Sequence, residues 1–331
     1  MRYLAALLLL AFYFTNASAQ QFNHQYIKYK RSGLDSRQSA AIVDHNHDGK
    51  PDVVSSFESG FDMLCYTNDG KTYTPQVIAD SLPGYDFMQS TDINNDGHTD
   101  VLVAFKNNNG FWDLGLWLNN GKDAFSKIQV GSIGDPTYKI EVADFDNDGD
   151  QDILLDPKGY NNYFWYYEND GNLHFTQSFV NFAGQPAVLF GIDDLNNDGL
   201  IDVLAAAFNF KTNQYDLVAV EQDTTHKDRW LPNAFDAVNR VEGGITGQFD
   251  GQNRADLFFA PQTVSNTDAY LYTHSGNFSF KKSNAITVPK YLVAQQTIDF
   301  NTDGKLDFFY TDLDGIHVMQ NRGNGQFNKL K

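Results

Sequence analysis

One acidic nine-residue pattern recurs five times along this chain at a spacing of about fifty residues. The copies occupy 44–52 (DHNHDGKPD), 92–100 (DINNDGHTD), 144–152 (DFDNDGDQD), 194–202 (DLNNDGLID) and 299–307 (DFNTDGKLD). A sixth frame, 248–256 (QFDGQNRAD), keeps the last aspartate but has Gln248 and Gln252 at positions one and five and Asn253 at position six. Self-similarity at such a period predicts a repeat architecture, in which each unit is one supersecondary element that buries its apolar face only by stacking on its neighbours.

Each intact copy reads D-x-[DN]-x-D-G-x-x-D, a set of oxygen donors suited to a hard divalent cation. Ca²⁺ takes six to eight oxygens in a flexible shell, whereas Mg²⁺ demands a tighter octahedron and keeps its waters. Positions one, three and five offer side-chain oxygens: Asp44, Asn46 and Asp48; Asp92, Asn94 and Asp96; Asp144, Asp146 and Asp148; Asp194, Asn196 and Asp198; Asp299, Asn301 and Asp303. Glycine at position six tolerates the positive φ of a sharp bend. The backbone carbonyl at position seven (Lys50, His98, Asp150, Leu200 or Lys305) is expected to point inward, with no role for its side chain. Asp52, Asp100, Asp152, Asp202 and Asp307 close the set. Five Ca²⁺ ions are expected, with none in the sixth frame.

The opening is shared with the EF-hand. That reading fails because position twelve holds Ser55, Val103, Leu155, Ala205 or Tyr310 instead of glutamate. The residues after each ninth position are apolar and strand-forming, as in Val101-Leu102-Val103 and Phe308-Phe309-Tyr310, where an EF-hand needs a helix. Turn chemistry alone would explain one Asn-Asp-Gly, but not five copies with both outer aspartates in place.

Five of the units also carry a second, Gly-containing turn, Asn-rich in four of them: 68–70 (NDG), 119–121 (NNG), 169–171 (NDG), 274–276 (HSG) and 321–325 (NRGNG). An aromatic follows, at Tyr73, Phe125, Phe175, Phe278 and Phe327. Together the two turns resemble the FG-GAP/VCBS repeat, the calcium-loop blade of integrin α-subunit N-terminal domains. The resemblance covers nearly the whole chain after its first residues. It implies an all-β propeller of four-stranded antiparallel blades, and it leaves function open, because one fold hosts many functions.

The blade reads as an inner strand before the cation loop, a second strand after it, a third running into the Asn/Gly turn, and a fourth outside. Repeat frames start near 38, 87, 139, 188, 242 and 293. Six blades are favoured, with the N-terminal segment 22–30 pairing onto the last. A seventh blade is the alternative, but no sequence is left over to build it.

Met1–Arg2–Tyr3, an apolar run from Leu4 to Phe14 and Ala17-Ser18-Ala19 read as a signal peptide over 1–19. The mature chain, 20–331, is then one secreted or periplasmic propeller domain, expected to be a monomer with no membrane span, because the apolar run is too short to cross a bilayer. Cys65 is the single cysteine and reads as a small buried apolar side chain. The net charge of −18 concentrates in the repeated loops. It reads as a metal signature and argues against nucleic acid, which needs basic surface.

The cation loops and the Asn/Gly turns fall at one end of each blade. The opposite end carries loops rich in aromatics and amides, including 105–112 (FKNNNGFW), 157–163 (PKGYNNY) and 208–215 (FNFKTNQY). Such residues suit a glycan or an extracellular protein partner, and Phe111, Trp112, Tyr160 and Tyr163 are the candidate ligand residues. The competing role for these rings is packing between blades. An enzyme reading rests on His226, Arg229 and Arg240 in an irregular stretch, 222–244, as in polysaccharide lyases built on propellers. No Gly-x-Ser-x-Gly elbow is present, and no histidine has a cysteine or second histidine at zinc spacing. Whether the chain catalyses anything is open at this level.

Overall fold

The computed structural model describes residues 38–329 apart from 58–59, 80–82, 123, 160, 224–228, 240, 242–243, 253, 260–267, 284–285, 288–294, 313–314 and 324–325. The leader expected over 1–19, the segment 22–30, Tyr160, His226 and Arg240 lie outside the described residues.

The described elements are all strands, arranged in six antiparallel sheets. Each sheet follows sequence order. The first blade, for instance, runs Gln38–Val43, Asp52–Phe57, Gly60–Asn68 and Tyr73–Ala79. Its successors begin at Gly84, Thr137, Ala187, Gly244 and Gln295. The fifth blade adds a short strand, Ile286–Thr287, against Asp268–Gly276.

Strand composition sets depth. The second strands are near-continuous apolar runs buried on both faces, as in Asp100–Lys106 (DVLVAFK) and Asp202–Asn209 (DVLAAAFN). The fourth strands alternate, as in Phe125–Gly134 (FSKIQVGSIG), with one face to solvent. Register fixes the repeated loop. The residue before the first aspartate pairs with the ninth: Val43 with Asp52, Thr91 with Asp100, Asp193 with Asp202 and Ile298 with Asp307. The acidic segment is thus the link of a tight hairpin, and no helix flanks it.

The chain makes up two compact units. The first comprises the described residues up to Val142 with Asp150–Gly159 and Tyr167–Gln177, and the second comprises Ala143–Gly149, Tyr160–Tyr166 and Ser178–Lys331. In the first, Val54, Cys65, Val103, Phe105 and Trp117 form a buried cluster. Cys65 is fully buried, as its expected apolar role requires. In the second, Phe190, Leu204, Leu217 and Leu257 form one cluster, and Phe249, Phe258 and Phe308 another.

The stretch 222–244 needs correction. Within it, Trp230–Val238 is the fourth strand of its blade, paired along Gln214–Gln222 with one bulge, while 224–228, 240 and 242–243 lie outside the described residues. Pro232 and the bulge near Leu217 broke the alternating pattern in the sequence, and an outer edge is where proline is tolerated.

Candidate functional site

The first aspartate of each loop organises the bend. Asp44 Oδ1 accepts the Asp48 N–H at 3.0 Å and its Oδ2 accepts the Gly49 N–H at 2.9 Å. Asp92, Asp144, Asp194 and Asp299 hold the same two amides in their own loops. Glycine at position six has positive φ throughout, from 79° at Gly49 to 99° at Gly149. Position four does as well, at His47, Asn95, Asn147, Asn197 and Thr302, all between 56° and 60°. Asparagine tolerates this region better than other side chains, which explains three of the five. Position two is buried apolar packing in four of the six frames, at Ile93, Phe145, Leu195 and Phe249. His45 is the polar member, fully buried and stacked on Phe125 at 4.9 Å.

The ninth aspartate is fully buried and does two jobs. Asp100 Oδ2 accepts the Ile93 N–H of its own loop at 3.2 Å, and Oδ1 accepts the Asn119 N–H of the second turn at 2.7 Å. Asp52 joins His45 and Asn68 in the same way, and Asp307 joins Phe300 and Asn321. The asparagine then locks the turn. Asn119 Oδ1 accepts the Gly121 N–H, while Nδ2 donates to the carbonyls of Thr99 and, from the preceding blade, Asp44. Asn321 does the same toward Leu306 and Phe249. The two repeated turns are therefore one hydrogen-bonded assembly.

Electrostatics shows what this costs. Burial, with neighbouring carboxylates adding to it, pushes Asp100 and Asp202 up to about 7 and Asp256 up to about 6. A cation among these oxygens would reverse that effect. In the 144–152 loop, Asp144, Asp146 and Asp152 offer carboxylate oxygens within 4.8 Å of one another. Oxygens around one Ca²⁺ at its usual bond length lie at most about 5 Å apart, so these residues fit such an ion. This is the tightest acidic group among the described residues.

Position-seven side chains matter more than the sequence indicated. Lys50 Nζ lies 2.6 Å from Asp48 Oδ2, and Lys305 Nζ 3.3 Å from Asp303 Oδ2. Two loops thus place an ammonium on the fifth-position carboxylate. In the 248–256 loop Asp256 Oδ2 accepts the Phe249 and Asp250 N–H groups, Asp193 accepts the Ala255 N–H, and Gly251 at position four has a positive φ, as position four does in the intact loops.

The opposite end of the same second strands, about 20 Å away at the usual rise per residue, carries a second repeated device. In the loop after Asp100–Lys106, Asn107 Nδ2 donates to Asp113 Oδ2 at 2.8 Å and its Oδ1 accepts the Asn109 and Phe111 N–H groups. In the loop after Asp202–Asn209, Asn209 Nδ2 donates to Asp216 Oδ2 at 2.8 Å and its Oδ1 accepts the Lys211 N–H. Each braced loop presents an exposed phenyl ring, Phe111 (63% exposed) or Phe210 (66%). Phe210 also packs edge-on against Phe208, which meets Tyr215.

Of the described candidate ligand residues, Phe111, Trp112 and Tyr163, only Phe111 lies in a loop and open to solvent. Trp112 opens the strand Trp112–Asn119, paired with Lys106, and is half-buried. Tyr163 opens Tyr163–Asn169 and packs on Trp165 (4.8 Å) and Phe179 (6.1 Å). Arg229 lies 3.6 Å from Asp223 at the base of its hairpin.

Residues 92–155, spanning two acidic loops, match the FG-GAP-like repeat family. The repeat is FG-GAP-like. No curated protein matches the chain. Among solved structures, an Agrocybe aegerita lectin, described as recognising non-reducing terminal N-acetylglucosamine, aligns with a TM-score of 0.64 at 18% identity, covering 89% of this chain and 79% of that one. A Burkholderia pseudomallei lectin aligns at 0.47 and 13% identity, covering 89% and 98%, and the fucose-specific lectin of Aleuria aurantia at 0.46 and 11%, covering 89% and 94%. The chain has the β-propeller fold, with six antiparallel blades among the described residues. No helix among the described residues is long and apolar enough to cross a membrane.

Proposed function

We propose that this FG-GAP-like protein is a secreted, Ca²⁺-stabilised propeller that binds glycans through the loops opposite its acidic hairpins. The observation that carries the reading is the pair of braced loops presenting Phe111 and Phe210. A sugar ring offers C–H faces to an aromatic plane and hydroxyls to amides. Asn, Gln and Lys side chains surround both phenyl rings in sequence, and rigid loops hold them in place without ordering cost on binding. The alignment with the Agrocybe aegerita lectin, described as recognising N-acetylglucosamine, supports the same ligand class. A glycan array probed with the Ca²⁺-loaded protein tests it. Phe111→Ala or Phe210→Ala should weaken binding about tenfold, roughly 1.4 kcal/mol, with the melting temperature unchanged because both rings are solvent-exposed. No glycan bound by the wild type would refute the proposal.

The calcium part has its own signature in pH. Without metal, the folded state keeps protons on Asp100 and Asp202 up to about pH 7, whereas an unfolded aspartate releases its proton near 4. The folded state then binds more protons, so metal-free stability falls as pH rises from about 4 to about 7. Bound Ca²⁺ holds the carboxylates ionised and removes that loss. The difference in melting temperature between Ca²⁺ and EDTA should widen from pH 5 to pH 7.5. A difference independent of pH would contradict the assignment.

A further inference from the structure

We propose that His47 and His98 form a binding site for one borderline divalent transition ion (Zn²⁺, Ni²⁺ or Cu²⁺), distinct from the oxygen-only loops. The two residues belong to successive acidic hairpins, fifty-one residues apart in the chain. Folding brings their rings edge to face, with centroids 4.7 Å apart and planes at 83°. Two imidazoles on a tetrahedral ion, each nitrogen at about 2.0–2.1 Å, have ring centres about 5 Å apart. Small rotations about the side-chain bonds therefore suffice to chelate.

Neither imidazole makes a hydrogen bond to the described protein, and Nδ1 of His98 is buried without a partner. Both rings thus keep nitrogen lone pairs uncommitted. Their backbones are fixed. His47 sits at φ 57°, and the His98 N–H donates to Asp96 Oδ1 at 2.8 Å. The His98 ring lies flat against Gly121, where a Cβ would overlap it. His47 also occupies a left-handed position that three sister loops give to asparagine, namely Asn95, Asn147 and Asn197.

Imidazole is a ligand for Zn²⁺, Ni²⁺ and Cu²⁺ and a poor one for Ca²⁺, so the site and the oxygen loops select different ions. With two protein donors, solvent completes the coordination. The usual order of stability places Cu²⁺ tightest.

The sister loop 194–202 supplies mild substitutions, because it carries Asn197 at position four, with φ 60°, and Leu200 at position seven. The experiment titrates Ni²⁺ into full-length protein saturated with Ca²⁺, by calorimetry, and counts imidazole nitrogens on bound Cu²⁺ by electron paramagnetic resonance. One ion per chain and two coordinated imidazoles are expected. His47→Asn and His98→Leu should each weaken Ni²⁺ at least tenfold while the Ca²⁺-loaded melting temperature holds. Ni²⁺ affinity unchanged in both variants would place the ion in a carboxylate loop and overturn the proposal. So would a Cu²⁺ spectrum with fewer than two nitrogens, or an absence of Ni²⁺ binding.

Discussion

Chelation should lower the stability of this protein by about 7 kcal/mol. A loop with an extracellular-module affinity near 10⁻⁴ M contributes roughly 1.4 kcal/mol at 1 mM Ca²⁺, and five such loops sum to about 7. That is comparable to the whole stability of a typical domain. Each kcal/mol moves the midpoint by about 2–4 °C in a chain of this size, so excess EDTA should drop the melting temperature by roughly 15–25 °C. The shares should be unequal. Asp144→Ala, in the loop with five aspartates, three of which bring carboxylate oxygens within 4.8 Å of one another, should remove the largest. The loops at 44–52 and 299–307 should contribute least, because Lys50 and Lys305 already neutralise Asp48 and Asp303 and must be displaced. A melting curve unmoved by EDTA would mean that the loop hydrogen bonds from Asp44, Asp92 and their counterparts close these hairpins without metal.

The second large effect is expected at Asn119. Its side chain is buried and makes three hydrogen bonds, to Gly121 within the turn and to the carbonyls of Thr99 and Asp44 in two acidic loops. Asn119→Ala leaves these part-buried partners without their bonds, at about 1 kcal/mol each, for a loss of roughly 3 kcal/mol. It also frees one loop from the next, so Ca²⁺ affinity should weaken at both 44–52 and 92–100. Asn68→Ala is the internal comparison. Asn68 is half-buried and bonds only Pro51 and Gly70 through its side chain, and it should cost about half as much. Equal losses in urea unfolding of the two variants would show that the contact from Asn119 to Asp44 carries no weight.

The remaining substitutions are read against these two. Phe111→Ala and Phe210→Ala act at exposed rings and should leave unfolding untouched. A stability loss there would mean that the loops depend on their phenyl groups and not on the Asn107–Asp113 and Asn209–Asp216 bonds.

Much of the blade was legible in the sequence, because both of its turns need residue types that rarely occur by chance together. Aspartate, glycine and asparagine at fixed offsets state where the chain reverses. The apolar run after each ninth position states where it is buried. The sixth frame was legible as divergent for the same reason. The outer strand Trp230–Val238 leaves no clear pattern in the sequence, because an edge strand need satisfy neither strict alternation nor every ladder hydrogen bond.

What the sequence determined by itself, then, is what depends on local chemistry: the repeat, the hairpins, the oxygen donors and the antiparallel blade. What only the tertiary structure decided depends on residues far apart in the chain. Asn119 reaches Asp44 across seventy-five positions, and His98 meets His47 across fifty-one. The exposed aromatics were separated from the packed ones in the same way. Phe111 and Trp112 are neighbours in sequence, yet one points to water and the other opens a paired strand. A period-two backbone sends consecutive side chains to opposite sides, and only the packed sheet determines which side is wet.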